Sequence, residues 1–159
     1  MEEQVVSCPL TRGKKILVAV DGSEYSYAAV EQAAMLGNMC NSKIYLVSVV
    51  DLLPEQYQLV PDLVENLSKE VQEHLNKAQE KISNAGLSSE TIVHSGNRAY
   101  KFIVREAREK EVDLIVMGTH GRTGFKKYLL GSVAQNVLGN APCPVLVIPA
   151  LKLEDQKNV

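Results

Sequence analysis

Five stretches of this chain are apolar at nearly every position, and between them apolar residues recur at steps of three and four. Residues 16–20 form the first run and end in Asp21-Gly22-Ser23, the pattern of a strand buried on both faces followed by a tight turn. Ser23 suits the cap of a helix from about residue 24 to Leu36 or Met39, with Ala29, Val30, Ala33, Ala34 and Leu36 on its apolar side. Residues 43–51 predict a second strand. From Leu59 onward Val60, Val64, Leu67, Val71, Leu75, Ala78 and Ile82 mark a long amphipathic helix that ends near Ala85-Gly86. The same steps would serve a coiled-coil seam, but a crossover helix lying on a sheet fits this length better. A weaker strand is predicted at 91–94, and a helix at 99–110 with Ile103, Val104 and Ala107 facing inward. A buried strand follows at 112–119, then a short helix from Ser132 to about Leu138, and a last strand at 143–149.

Strands that alternate with helices, each an unbroken Val/Ile/Leu run, specify an α/β domain: an open, doubly wound, five-stranded parallel sheet, Rossmann-like, with helices on both faces. Neither a linker nor a repeat interrupts the chain, so 1–150 reads as one domain and 151–159 as a frayed tail. Sheets of this kind take ligands outside the carboxyl ends of their strands, where the strand order reverses. The strand ends to consider are Asp21, Asp51 and Gly118-Thr119.

Composition narrows the partners. The chain has 159 residues, 45% hydrophobic and 23% charged, enough for one core without a staple. With a formal net charge of −2 it has no general attraction to a phosphate backbone, so no nucleic-acid partner is expected. No apolar run approaches the ~18 residues that span a bilayer, and the first fifteen residues lack the sustained apolar core of a signal peptide. Cys8, Cys40 and Cys143 are odd in number and far apart. They read as three reduced thiols, with no metal site, and suit a cytoplasmic protein.

The chemistry concentrates in "GTHGRTGFKKYLLGSVAQ", which begins at Gly118 on the fourth strand and ends on a helix. A helix that starts at Ser132 leaves its first backbone N–H groups without partners, and its dipole favours an anion there. Gly131 lacks a Cβ and lets backbone approach phosphate oxygens, and the Ser132 hydroxyl can cap the helix or donate to a ligand. Arg122, Lys126 and Lys127 supply local positive charge for phosphates. Glycines are also ordinary turn residues, and Gly118 or Gly121 alone would be read that way. Their combined spacing with Gly131-Ser132, between strand and helix, favours phosphate binding.

With that pattern in hand, the chain resembles the universal stress protein family, in its ATP-binding subclass with the G-x2-G-x9-G-S signature. The similarity runs from "KKILVAVDGSEYSYAAVEQA" through "LVSVVD" to "DLIVMGTHGRTGFKKYLLGSVAQNVLGNAPCPVLVIP". It implies that Gly118 and Gly121 contact ribose and phosphates and that Gly131, Ser132 and Val133 form the phosphate cradle. It further implies that Asp21 accepts a hydrogen bond from the adenosine, that Ala19 and Val20 line the adenine pocket and that Val49 offers backbone groups to the adenine edge. Met117 would pack beside sugar and base. Many relatives carry a histidine where this chain has Ser48, which bears on peripheral contacts. The resemblance also places the last strand at a sheet edge, so a homodimer through 144–149 is expected.

Bland alternatives stand beside these roles. Asp21 can organise the Asp-Gly-Ser turn through backbone N–H groups. His120 reads as a loop residue rather than a base, His74 as a helix-surface residue, His94 as a strand-end residue and Asp51 as a strand terminator. Arg122 is the candidate for a terminal phosphate or a mobile surface side chain. The chain has no P-loop, no G-x-S-x-G elbow and no G-x-G-x-x-G, and no catalytic residue is assigned. The expected function is a nucleotide-dependent switch or interaction module that binds ATP or AMP, with Mg or Mn arriving on the phosphates. The alternatives are a slow ATP hydrolase or phosphotransferase at the same site, in which Arg122 stabilises charge, and a structural dimer whose glycines are only turns.

Overall fold

The computed structural model describes residues 8, 14–52, 55, 61–122 and 130–150. In chain order the elements are β1 (Lys15–Ala19), α1 (Glu24–Cys40), β2 (Lys43–Val50), α2 (Pro61–Asn84), β3 (Ser89–Ser95), α3 (Ala99–Glu109), β4 (Leu114–Gly118), α4 (Ser132–Asn140) and β5 (Val145–Ile148). The strands make one sheet in the order β3-β2-β1-β4-β5, and all four neighbouring pairs are parallel. The expected doubly wound α/β sheet is therefore present. Leu59 and Val60, the expected start of the long helix, and the tail 151–159 lie outside the described residues.

The unbroken apolar runs follow from burial on both faces. Ile16, Val18, Val20, Ile44, Leu46, Leu114 and Val116 point to the side covered by α1 and α2, where they meet Ala29, Val30, Ala33, Leu75, Ala78 and Ile82. Leu17, Tyr45, Val47, Ile115 and Met117 point to the other side and meet Ile103 and Ala107 of α3 and Ala134 and Val137 of α4. Successive strand residues thus serve opposite layers, and neither set can be polar. β3 is a partial exception. As an edge strand it is only half buried, its sequence is more polar, and it is longer than the apolar pattern suggests because seven consecutive positions pair with β2.

At that edge, β2, β3 and α3 are joined by charge. Lys43 Nζ donates to Glu90 Oε2 at 3.0 Å, Lys110 Nζ donates to Glu90 Oε1 at 3.1 Å, and both ammonium groups lie over the Tyr45 ring. Lys43 first and Lys110 second hold the Glu90 carboxyl below its ordinary range, and Glu90 holds both lysines above theirs. For a lowered carboxyl the stabilisation is complete above the unfolded-state value and is lost as pH falls through the folded one. Glu90→Gln is accordingly expected to be less stable than the native chain in urea at neutral pH, and the gap closes at acidic pH. A gap that persists unchanged at low pH would show that packing, not charge, is responsible.

One expectation is corrected here. Cys8 and Cys40 are bonded as a disulfide, which ties the residue preceding Pro9 to the last turn of α1. Spacing along the chain carried no sign of this, because a bridge depends on how close two Cα atoms come in the fold; here they stand 4.7 Å apart. Only Cys143 is a free thiol among the described residues, and burial raises its pKa and keeps it protonated. No helix among the described residues is long and apolar enough to cross a membrane.

Candidate functional site at the strand ends

The chain leaves β1 toward β2 and β3 on one side and later returns to β4 and β5 on the other, so the order reverses between β1 and β4. The carboxyl ends of those strands carry Asp21 and Gly118-Thr119, and the loops that follow cannot lie against each other's strand, which opens a crevice. Asp21 stitches its two sides together. Its Oδ1 accepts from the backbone N–H of Ser23 at 3.0 Å and from the Ser23 hydroxyl at 2.6 Å. Its Oδ2 accepts from the backbone N–H of Arg122 at 3.0 Å, 101 residues away in sequence. Asp21 is thus the organiser of its own turn, as one sequence reading holds, and also the clasp on the β4–α4 loop. Ser23 in turn caps α1, its hydroxyl accepting from Ser26 N–H at 3.1 Å.

Close approach bears on each glycine, to different degrees. A Cβ on Gly118 would lie 2.5 Å from Tyr25 Cβ and 2.8 Å from the Tyr25 carbonyl carbon, so β4 can end under α1 only without a side chain. One on Gly121 would meet Asp21 Oδ2 at 2.8 Å, and one on Gly131 would press on Thr119 O at 3.2 Å and His120 Cα at 3.3 Å. Gly131 N–H donates to Thr119 O at 2.7 Å, which draws the start of α4 against the end of β4.

Gly131 itself is the N-cap of α4, with extended backbone and no side-chain cap, and Ser132 is the first helical residue. This differs from a Ser132 cap, because the residue with non-helical φ and ψ is the glycine. The N–H groups of Ser132, Val133 and Ala134 stand in the first turn, where helix geometry supplies no acceptor. Val133 is exposed and Ala134 buried. The result is a row of backbone donors at the positive end of a helix dipole, with Thr119–Gly121 packed against the N-cap glycine.

Of the residues expected at the site, Asp21, Gly118, Gly121, Arg122, Gly131 and Ser132 come together around the β4–α4 turn. Val20 and Met117 are buried in opposite layers of the core, and Ala19 is half buried beside the α3–α4 layer. Val49 lies one strand away. Val20 N–H donates to Val47 O at 2.8 Å, so by the two-residue alternation the backbone groups of Val49 also face the β1 side, past the Ala19–Val47 pair that ends the register. His120 is packed against Tyr25, ring centroids 5.3 Å apart, and shares a hydrogen bond with Thr119 Oγ1 at 3.1 Å. His94 is bound to the buried Glu106 carboxylate at 2.7 Å, far along β3. Lys126 and Lys127 lie outside the described residues.

The sequence reading misses three residues that reach this site from the helices. Glu70 of α2 accepts from the Arg122 guanidinium. His74, one turn on, packs its ring over Gly22 and shares a hydrogen bond with the Tyr27 hydroxyl of α1 at 3.1 Å. Gly22 has φ of 81°, and a Cβ there would lie 2.4 Å from the imidazole, so glycine is required twice over. Burial, with Asp21 second, raises the Tyr27 pKa and keeps its hydroxyl a donor. The i, i+4 spacing of Glu70 and His74 is visible in the chain, but not that α2 would lay this pair beside Gly22.

Comparison with known proteins decides the family. Residues 13–149 match the Universal stress protein family. The chain belongs to that family. It is 38% identical over 148 residues to universal stress protein MJ0531 of Methanocaldococcus jannaschii, covering 89% of this chain and 85% of that one. It is 32% identical to universal stress protein YxiE of Bacillus subtilis, covering 84% of this chain and 97% of that one. Among solved structures, the hypothetical protein MJ0577 superposes with a TM-score of 0.78 at 28% identity, over 89% of this chain and 99% of that one. Two more distant universal stress proteins, each 24% identical, share the fold. One was solved in complex with cAMP, at a TM-score of 0.67, over 89% of this chain and all of that one. The other, from Archaeoglobus fulgidus, was solved in complex with dAMP, at 0.63, over 87% of this chain and 99% of that one.

Proposed function

We propose that this universal stress protein binds an adenine nucleotide, ATP or AMP, in the crevice between β1 and β4 and acts as a nucleotide-dependent switch or interaction module. The observation that carries the reading is the packing of Gly131 against Thr119–Gly121, just past the Gly118 end of β4, at a helix start whose first N–H groups have no helical acceptors. Backbone donors at a helix start suit phosphate, and the full G-x2-G-x9-G-S spacing supports the ATP-binding subclass. That the fold accommodates cAMP in one relative and dAMP in another agrees with it. In this reading Ser132 and Val133 donate to phosphate, Gly118 and Gly121 run beneath ribose and phosphates, and Asp21 takes the adenosine. Val49 meets the adenine edge with backbone groups, Ala19 and Val20 back the base, and Met117 supports it from the core. Among the described residues no group of three or more His, Cys, Asp or Glu side chains is placed to hold a metal ion, so Mg or Mn would be carried by the phosphates.

A second copy completes the reading. β5 is an edge strand, half exposed along its length, and pairing of 144–149 with its counterpart would close that edge. Light scattering at micromolar concentration is expected to give the dimer mass.

The test is a calorimetric titration of nucleotide-free protein with ATP and AMP, together with mass spectrometry of ligand released by heat from fresh protein. Saturable binding of at least one is expected, with ATP recovered intact after hours. Absence of binding by both would leave the glycines as turns, and turnover would move the site to the hydrolase reading.

A further inference from the structure

We propose that Glu70 is a specificity-determining residue that discriminates by phosphate number: it holds Arg122, and only a nucleotide with enough phosphate charge draws the guanidinium away. The inference rests on the adenine-nucleotide reading above.

Arg122 is anchored at one end and held at the other. Its backbone N–H is fixed on Asp21 Oδ2 at 3.0 Å, which sets its Cα at the mouth of the crevice. The neighbouring Gly121 N lies 3.8 Å from the place a Gly131 Cβ would take, so the side chain starts beside the first turn of α4. From there the guanidinium turns to α2 and donates to Glu70 Oε1. Among the described residues, the cation best placed to meet a terminal phosphate is thus paired with a carboxylate from another element.

Glu70 is itself held by α2. His74 Nε2 lies 3.4 Å from the same Oε1, and His74 Nδ1 lies 3.1 Å from the Tyr27 hydroxyl. The proton assignment that serves every group has Tyr27 O–H donating to Nδ1 and Nε2–H donating to Glu70. The imidazole cannot swing, because its face rests on Gly22. When Arg122 leaves, Glu70 therefore keeps the His74 N–H as a donor, and the carboxylate is not stranded.

The strength of the pair suits a competition. The side chains of Arg122 and Glu70 are 49% and 36% exposed, and exposed ion pairs are worth little, equivalent to roughly a two- to fivefold change in affinity. A polyphosphate carries more charge than one carboxylate and forms stronger, forked hydrogen bonds with guanidinium. A single phosphate at the start of α4 is served by backbone N–H groups whether or not Arg122 moves. Each additional phosphate supplies the charge that competes with Glu70, so the carboxylate taxes the triphosphate and not the monophosphate.

The experiment is an equilibrium titration with ATP and with AMP of the native chain, Glu70→Gln, Arg122→Gln, the double variant, and Glu73→Gln as a charge control on the same helix. Both partners lie at the surface, so the variants keep the fold. Glu70→Gln is expected to tighten ATP two- to fivefold and leave AMP unchanged. The effect disappears in the Arg122→Gln background, and Glu73→Gln reproduces none of it. In parallel, ATP and not AMP is expected to shift the His74 imidazole resonances in nitrogen-resolved NMR, because Glu70 passes from Arg122 to His74. Equal shifts of ATP and AMP affinity, no shift in either, or an effect that survives Arg122→Gln overturns the role of Glu70 while leaving nucleotide binding intact. A native chain that binds neither nucleotide overturns both proposals.

Discussion

Alanine at position 118 is expected to destabilise the fold strongly, because the new methyl meets helix backbone and not only a side chain. The new Cβ would stand 2.5 Å from Tyr25 Cβ, 2.8 Å from its carbonyl carbon and 3.0 Å from its oxygen. Two of these atoms are backbone in the first turn of α1, so relief requires moving the helix off the sheet. That helix carries Ala29, Val30 and Ala33, all fully buried against β1 and β4, and cannot shift alone. Overpacking of a tight site costs about 1–3 kcal/mol, and a helix backbone as the obstacle puts Gly118→Ala at the upper end. For a domain of this size that corresponds to a fall in Tm of roughly 6–12 °C. Urea and thermal unfolding check it, and a melting temperature within two or so degrees of the native chain, on the scale of ordinary surface changes, would show that α1 yields easily.

Gly131→Ala is expected to do the opposite: spare the fold and damage the site. Gly131 has φ of −68° and ψ of 157°, open to any residue, so alanine brings no backbone strain. Its Cβ would press on Thr119 O at 3.2 Å and His120 Cα at 3.3 Å, contacts relieved by a few tenths of an ångström. The relief widens the turn that sets Thr119–Gly121 against the start of α4, and a phosphate cradle depends on that spacing. Adenine-nucleotide affinity is expected to fall at least tenfold, about 1.4 kcal/mol, while Tm stays close to native. Binding unchanged in the presence of a native melting curve would remove Gly131 from the cradle. Taken together, the two variants separate a glycine needed for packing from one needed for the site, a distinction their shared motif hides.

Most elements were legible because the apolar periods differ so plainly. Five-residue runs such as Ile16 to Val20 can be buried only between two helical layers, and the three-four steps of α2 suit one layer alone. β3 was the weak case, since an edge strand needs fewer apolar residues. The glycine spacing likewise points to a strand-loop-helix turn, and the turn is there. Less was legible wherever distant segments meet. The Cys8–Cys40 bridge, the grip of Asp21 on Arg122, the packing of His74 on Gly22 and the pairing of Glu70 with Arg122 span 32, 101, 52 and 52 residues in sequence. No local pattern encodes such pairs, because nothing in either segment is locally satisfied by the other.

By itself, then, the sequence determined the strands and helices, the α/β class and the glycine-rich turn that opens on α4, since each depends on residues within a few positions of one another. The tertiary structure alone decided that Asp21 would serve as a clasp as well as a turn, that Gly118 answers to Tyr25, and that Arg122 lies on Glu70. Those outcomes follow from the strand order β3-β2-β1-β4-β5, which brings the ends of β1 and β4 side by side and lays α2 along the same rim. Charge and shape complementarity across that rim exist only once the layers have packed.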